Sequence, residues 1–290
     1  MASEKATLRI WRGTQEGGKF EEYDVETYPG MVVLDAVHEV QAKQAPDLAV
    51  RWNCKAGRCG SCSAEVNGKP RLLCMTRMSH LQETAPGEPI TVTPMKTWPL
   101  IKDLVTDVSY NYKVAKKIPP FKPRPRDADG TWRMQQEDID RIQEFRKCIE
   151  CFLCNDVCHV LRDHDKKGDK DGFVGPRFLI HLATLDMHPL DTLDRRQMMK
   201  DEFGIGYCNI TRCCTEVCPE HIVITDNGII PLKERLADDF YDPVRWVMRK
   251  IFPPKNKKQL PVLPSNEKPT TRTKSESPKA KKKESADAEE

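Results

Sequence analysis

The chain has 290 residues, 38% of them hydrophobic, with 22 prolines, 15 glycines, 12 cysteines and a formal net charge of +3. That length suggests about two domains on a rough prior of 100–200 residues each, and the composition suits small loop-rich modules better than one large core. The charge excludes a general nucleic-acid-binding surface: ten Lys/Arg and six Asp/Glu follow from Pro253 onward, leaving 37 basic and 38 acidic residues in the body. No window approaches the roughly 18 apolar residues of a membrane span. The N-terminus shows neither the apolar core of a signal peptide nor the features of a transit peptide. A cytoplasmic chain is therefore expected, in which structural disulfides are out of place. The cysteines then bind metal, serve redox chemistry or stand idle.

In chain order, residues 6–12 and 20–27 alternate apolar and polar around "TQEGGK", which predicts a β-hairpin. "MVVLDAVHEVQAK" (31–43) has helical spacing between Pro29-Gly30 and Pro46. A cysteine loop at 53–62 follows, then a hairpin turning on Asn67-Gly68 and a strand in "EPITVTPM". This order of elements is that of a small β-grasp, ferredoxin-like sheet. Residues 101–118 read as a helix, and "PPFKPRPR" (119–126) as a stiff linker. Segments 135–147, 175–187, 191–201 and 229–240 then have helical periodicity with no alternating strand among them. "VRWVMRKIF" (244–252) is a short amphipathic piece. The fold expected is α+β: a β-grasp domain over 1–110, a helix end and Pro-rich linker over 111–134, an all-helical domain over 135–252 with its cysteines at helix termini and loops, and a disordered Lys-rich tail over 253–290.

Cys54, Cys59, Cys62 and Cys74 are spaced C-x4-C-x2-C-x11-C, and the x4 and x2 intervals are those of plant-type [2Fe–2S] sites. Gly57 and Gly60 let the loop take positive φ, while Lys55 and Arg58 offset thiolate charge. The competing reading is a zinc site, whose four thiolates usually come as two closely spaced pairs; here three cysteines share one loop. Cys148, Cys151, Cys154 and Cys158 form C-x2-C-x2-C-x3-C, the bacterial ferredoxin run in which the fourth cysteine ligates the other cluster. "YCNITRCCTEVCPEH" (207–221) repeats that run with Thr211 in the middle position. Crossing the fourth cysteines assigns Cys148, Cys151, Cys154 and Cys218 to a [4Fe–4S] cluster. Cys158, Cys208 and Cys214 remain, three thiolates suited to [3Fe–4S]. Cys213, one residue off register, is expected to point away from the cluster that Cys214 binds; its supplying the missing thiolate, or the site's being decayed, are the alternatives. There is no nucleotide-binding glycine motif and no nucleophile with an adjacent base, so no catalytic residue is assigned.

"CKAGRCGSC", C-x2-C-x2-C-x3-C and C-x5-C-x3-C-P together resemble the iron–sulfur subunit of succinate dehydrogenases and fumarate reductases, over roughly residues 5–245. The resemblance implies the subunit of a succinate:quinone oxidoreductase that relays electrons from covalent FAD on a flavoprotein partner, through the three clusters, to menaquinone or ubiquinone at membrane-anchor subunits with or without haem. It places the chain peripherally on the cytoplasmic face of a bacterial plasma membrane. The same architecture run in reverse is a fumarate reductase; a zinc scaffold and a ferredoxin-type subunit of another dehydrogenase are the remaining rivals. The chain departs from the family after Cys158, where "HVLRDHD" (159–165) replaces the Pro-Ser and tryptophans of many members, and at Asn209, where many have histidine. His159 and Arg162 are candidates for the quinone side, against an ordinary salt-bridged surface role. The Lys-rich tail is read as solvated, with contact to anionic lipid as the alternative.

Overall fold

A computed structural model gives the fold over residues 4–166 and 172–252. The expected tail over 253–290 lies outside the described residues. Strands β1 (Glu4–Thr14) and β2 (Gly17–Thr27) pair antiparallel from Glu4 opposite Thr27 to Thr14 opposite Gly17. The turn between them is therefore Gln15 and Glu16 alone, tighter than the expected loop. α1 (Val33–Lys43) buries Val33, Leu34, Ala36, Val37 and Val40, one apolar stripe at helical spacing. β3 (Ser63–Val66) and β4 (Lys69–Leu72) are joined by Asn67 and Gly68, both left-handed at φ 48° and 74°, as a two-residue hairpin turn of this hand requires. α2 (Met78–Thr84) leads to β5 (Ile90–Thr93), parallel to β1 and antiparallel to β3. The sheet order β2-β1-β5-β3-β4 is the mixed sheet expected of the N-terminal half.

Residues 101–118 correct the expectation of one helix. β6 (Leu100–Lys102) and β7 (Val105–Thr106) form a small hairpin, and α3 (Ser109–Lys117) begins only after it. The cause is Asp103. It is buried, takes φ 49°, and its carboxylate accepts the backbone N–H of Gly13 (2.9 Å) and Ala49 (2.8 Å) while facing Arg12 Nε at 3.1 Å. Ile101, Leu104 and Val105 satisfy helical spacing as well as the hairpin does, but these long-range bonds decide for the hairpin.

The C-terminal half is helical: α4 (Gln136–Gln143), running on as a 3₁₀ turn over 144–147; α5 (Leu153–Asp156); α6 (His159–Lys166); α7 (Pro176–Asp186); α8 (Arg196–Asp201); α9 (Cys213–Glu216); a π turn (Ile224–Ile229) leading into α10 (Ile230–Phe240); and α11 (Pro243–Ile251). Among its described residues the only strand-like contact is an isolated bridge between Pro123 and Asp191. The helix expected over 191–201 is confined to 196–201. Fully buried Arg195 donates from Nη1 to Asp191 (2.9 Å), from Nε to the Pro119 carbonyl (3.0 Å) and from Nη2 to the Pro120 carbonyl (2.7 Å). That arrangement consumes the segment before α8 and straps the proline-rich stretch to the helical half. Two hydrophobic cores result, and they meet at the first cysteine run: Cys151 and Leu153 pack with the sheet, Phe152 and Cys154 with the helices. Among the described residues no helix is long and apolar enough to cross a membrane.

Candidate iron–sulfur centres

The cysteine loop before β3 carries three left-handed residues, Lys55 (φ 54°), Gly57 (66°) and Gly60 (68°). They turn backbone N–H groups inward: Ala56 and Arg58 donate to Cys54 Sγ (3.4 and 3.3 Å) and Ser61 to Cys59 Sγ (3.5 Å). Burial opposes ionisation of Cys59, but the hydrogen bonds from Ser61 and with Cys54 outweigh it and draw its pKa down to about 6. Cys62, deeper, is pushed up to about 12 by burial, with the charges of Cys74 and Cys59 adding. The four thiols thus fall into two adjoining pairs, Cys54 with Cys59 and Cys62 with Cys74. Two metal ions bridged by sulfide need two such pairs, and inward N–H groups are what thiolate sulfur accepts.

The two ferredoxin-type runs share one backbone. Each is preceded by a 3₁₀ turn whose end is the first cysteine, Cys148 (φ −61°, ψ 118°) or Cys208 (φ −68°, ψ 118°). Left-handed residues recur at the same two steps, Glu150 and Phe152 in the first run, Ile210 and Arg212 in the second, with φ between 57° and 64°. Non-glycine residues in that conformation cost roughly 1–2 kcal/mol each, so the surroundings impose it. A four-residue helix follows in both, α5 or α9. It is closed by the same bonds, Cys158 N–H to Asn155 O and Cys218 N–H to Thr215 O, each 3.3 Å. In this register Thr211 stands where Cys151 stands, and Cys213 stands where Leu153 stands.

Cys218 is brought to the first run: a small cavity of about 20 Å³ is lined by Cys148, Cys151, Cys154 and Cys218. Ile180, Ile222, Glu220 and Arg177 are among the other residues of its wall. Burial pushes Cys151 up to about 12, with the charges of Cys148 and Cys218 adding. Cys154 is raised by burial and by the charges of Cys151, Cys148, Cys214 and Cys218. Ile222 N–H donates to Cys218 Sγ at 3.4 Å. Cys158 instead is raised to about 12 by burial and by the charges of Cys213 and Cys214, and Cys214 to about 11 by burial, Cys213 and Cys208. Buried thiols that crowd and repel one another in this way are held ionised by a cationic group between them. Four thiols converging on one cavity fit an iron–sulfur cluster, whose irons are held by Cys thiolates.

Cys213 departs from the expectation that it turns away: its charge reaches Cys158, and its Sγ lies 3.3 Å from Thr211 Oγ1. Thr225, a residue the cysteine pattern does not flag, places Oγ1 3.3 Å from Cys214 Sγ. His159 and Arg162, paired in the sequence reading, part company. His159 is exposed and contacts Asn209 Oδ1 through Nε2 at 3.0 Å, beside the second run. Arg162 corrects its reading as a quinone-side residue: it reaches back to fully buried Glu65 of β3 (2.6 Å), which also takes Lys96 (2.5 Å). A carboxylate without water needs such partners, and the salt-bridged alternative describes Arg162 better.

The sheet and the first run are in direct contact. A Cβ at Gly60 would stand 2.6 Å from Cys151 Cα, so only glycine permits the approach. Ser63 Oγ donates to the Cys151 carbonyl and Thr97 N–H to Asp156 Oδ1, at 2.9 and 3.1 Å. Of these joints, only Gly60 left a local trace in the sequence, a glycine between two cysteines.

Two ferredoxin-like halves with their cysteine sites touching make this an iron–sulfur electron carrier. Residues 7–113 match the family model described as a 2Fe-2S iron-sulfur cluster binding domain, and residues 144–222 that of a 4Fe-4S dicluster domain. The fumarate reductase iron-sulfur subunit of Mycobacterium tuberculosis is 31% identical over 210 residues, 70% of this chain and 80% of that one. The succinate dehydrogenase iron-sulfur subunit of Bacillus subtilis is 28% identical over 221 residues, 71% of this chain and 81% of that one. A chain of the Mycobacterium smegmatis Sdh1 complex superposes with a TM-score of 0.79 at 62% identity, covering 84% of this chain and all of that one. The chain belongs to the iron–sulfur subunits of succinate dehydrogenases and fumarate reductases. It is accordingly the electron-transfer subunit of an oxidoreductase complex.

Proposed function

We propose that this subunit relays electrons between an FAD-bearing flavoprotein and quinone at a membrane-anchor subunit, within a succinate:quinone oxidoreductase on the cytoplasmic face of a bacterial membrane. Cys54, Cys59, Cys62 and Cys74 would hold [2Fe–2S]. Cys148, Cys151, Cys154 and Cys218 would hold [4Fe–4S], and Cys158, Cys208 and Cys214 would hold [3Fe–4S]. Bound there, these groups supply one-electron redox chemistry in series. The observation that carries the reading is the crossed repeat, in which Thr211 occupies the Cys151 place and leaves the last site with three thiols in register.

The protein's own residues do the rest. Gly60 and Ser63 hold the first cysteine loop against Cys151, which shortens the step between the first two sites. Burial of the first run keeps water from the middle site. In the second run Asn209, Ile210, Thr211 and Arg212 are exposed, so a partner can approach the last site within a few ångströms of its ligands. The loop face fits the flavoprotein and the second-run face the anchor. We also read the chain as dividing near residues 110 and 135, with the strapped proline-rich stretch between.

EPR of the intact complex during redox titration tests this. Three separately titrating centres are expected, one of them a three-iron signal in the oxidised protein; zinc without acid-labile sulfide would sink the reading. A working direction toward fumarate is the second reading, favoured by the fumarate reductase relative. Rates of succinate oxidation and fumarate reduction in isolated membranes separate the two.

A further inference from the structure

Arg177 is the second residue of α7, and its side chain forms part of the wall around Cys148, Cys151, Cys154 and Cys218. It is only 8% exposed. Its backbone N–H donates to Asn155 Oδ1 at 3.0 Å, which seats the helix start beside the run. Nη2 donates to the carboxylate of Glu150, the left-handed residue between Cys148 and Cys151. Nε–H is buried and has no acceptor among the described residues. An orphaned donor on a buried cation is costly, and native structures tolerate few of them. Its guanidinium also sits over the Phe178 ring at 5.6 Å, and nearby His181 is kept toward its neutral form chiefly by burial and also by the Arg177 charge. One Nη of the guanidinium is thus committed to an outer carboxylate, its Nε–H is left without a partner among the described residues, and the side chain lines a cavity that also holds four thiols.

We propose that Arg177 sets the reduction potential of the middle centre: Nε–H donates to a sulfur of the group held in this cavity, and the guanidinium charge favours its reduced state, while Glu150 restrains that effect through the shared ion pair. The inference rests on the ligand set proposed above. One electron enters from one neighbouring site and leaves to the other; no bond is made or broken and no proton is required. The added negative charge is what a fixed cation and a sulfur-directed N–H stabilise, since net charge and hydrogen bonds to sulfur tune such potentials. The carboxylate of Glu150, 55% exposed, acts in the opposite sense at lower strength because water screens it.

The test is an EPR-monitored redox titration of the intact complex carrying Arg177→Gln, Arg177→Lys or Glu150→Gln. At the native midpoint, Arg177→Gln is expected to lower the reduced-to-oxidised ratio of the middle centre about tenfold, a shift of about 59 mV for one electron. Arg177→Lys keeps the charge but lacks Nε–H and falls between. Glu150→Gln moves the midpoint the other way by a smaller factor. The other two centres keep their midpoints. An unchanged midpoint in Arg177→Gln with the centre intact overturns the proposal, as does a shift of both variants in one direction. If Arg177→Gln loses the centre altogether, Glu150→Gln decides by the sign of its shift. Absence of any such centre from the native complex would instead overturn the ligand assignment.

Discussion

The two cysteine runs have one backbone and two environments. In the first, Cys151 through Asp156 are all buried, Leu153 packs with the sheet core, and Gly60 presses on Cys151. In the second, the equivalent of Cys151 is exposed Thr211 and the equivalent of Leu153 is half-buried Cys213. Left-handed residues at matching steps show that the loop shape serves to converge thiols and is indifferent to what lies outside it. The surroundings separate the roles. A run sealed between two cores suits a centre that only passes electrons inward and onward; a run open to solvent suits one that hands them to another molecule.

The largest expected effects come from breaking the crossing. Cys218→Ser should abolish the middle centre while the three-iron signal survives, and Cys158→Ser should do the reverse; EPR with iron and sulfide analysis reads both, and the crossing is wrong if each variant loses the centre of its own run. Next is the one ligand position at which the runs differ. Thr211→Cys should allow a fourth iron and remove the oxidised three-iron signal, whereas Cys213→Ser should leave that signal in place. Loss of the signal in Cys213→Ser would make Cys213 a ligand despite its register. A smaller effect is expected where the first run meets the sheet. Gly60→Ala combines positive φ with a backbone clash and should destabilise by roughly 1–3 kcal/mol, seen as a lower Tm of the intact complex; a native Tm would mean that the joint yields. Smallest is Glu65→Gln, which weakens the ion pairs to Arg162 and Lys96. A cost of ~1–2 kcal/mol is expected and chemical denaturation measures it, with all three EPR signals retained.

Local patterns were the legible part. The Asn67-Gly68 turn, the stripe of α1, the glycines of the first cysteine loop and the recurrence of the ferredoxin spacing each carry their physics within a dozen residues. What escaped was long-range. Nothing near Asp103 announces that its carboxylate will bind Gly13 and Ala49, so 101–106 read as helix. Arg195 looks like any helical arginine until the carbonyls of Pro119 and Pro120 arrive. Arg162 sits on a polar stretch, and its partner Glu65 lies 97 positions away. The side-chain direction of Cys213 was argued from its neighbour alone, but the start of α9 brings it toward Cys158. The cysteine pattern names candidate ligands; it says nothing of Thr225 or Arg177, whose part depends on packing.

The proposed crossing of Cys158 and Cys218 would also govern assembly. A group gripped by Cys148 and Cys218 closes a loop of some seventy residues, and one gripped by Cys158 and Cys214 closes a second loop nested within the same span. Closing such loops restricts the unfolded chain, and binding free energy becomes folding free energy. Each group would therefore staple part of the span that also cradles the other. A subunit that received one without the other would keep one loop closed and the other free, so a half-loaded chain would be more open to proteolysis than a fully loaded one.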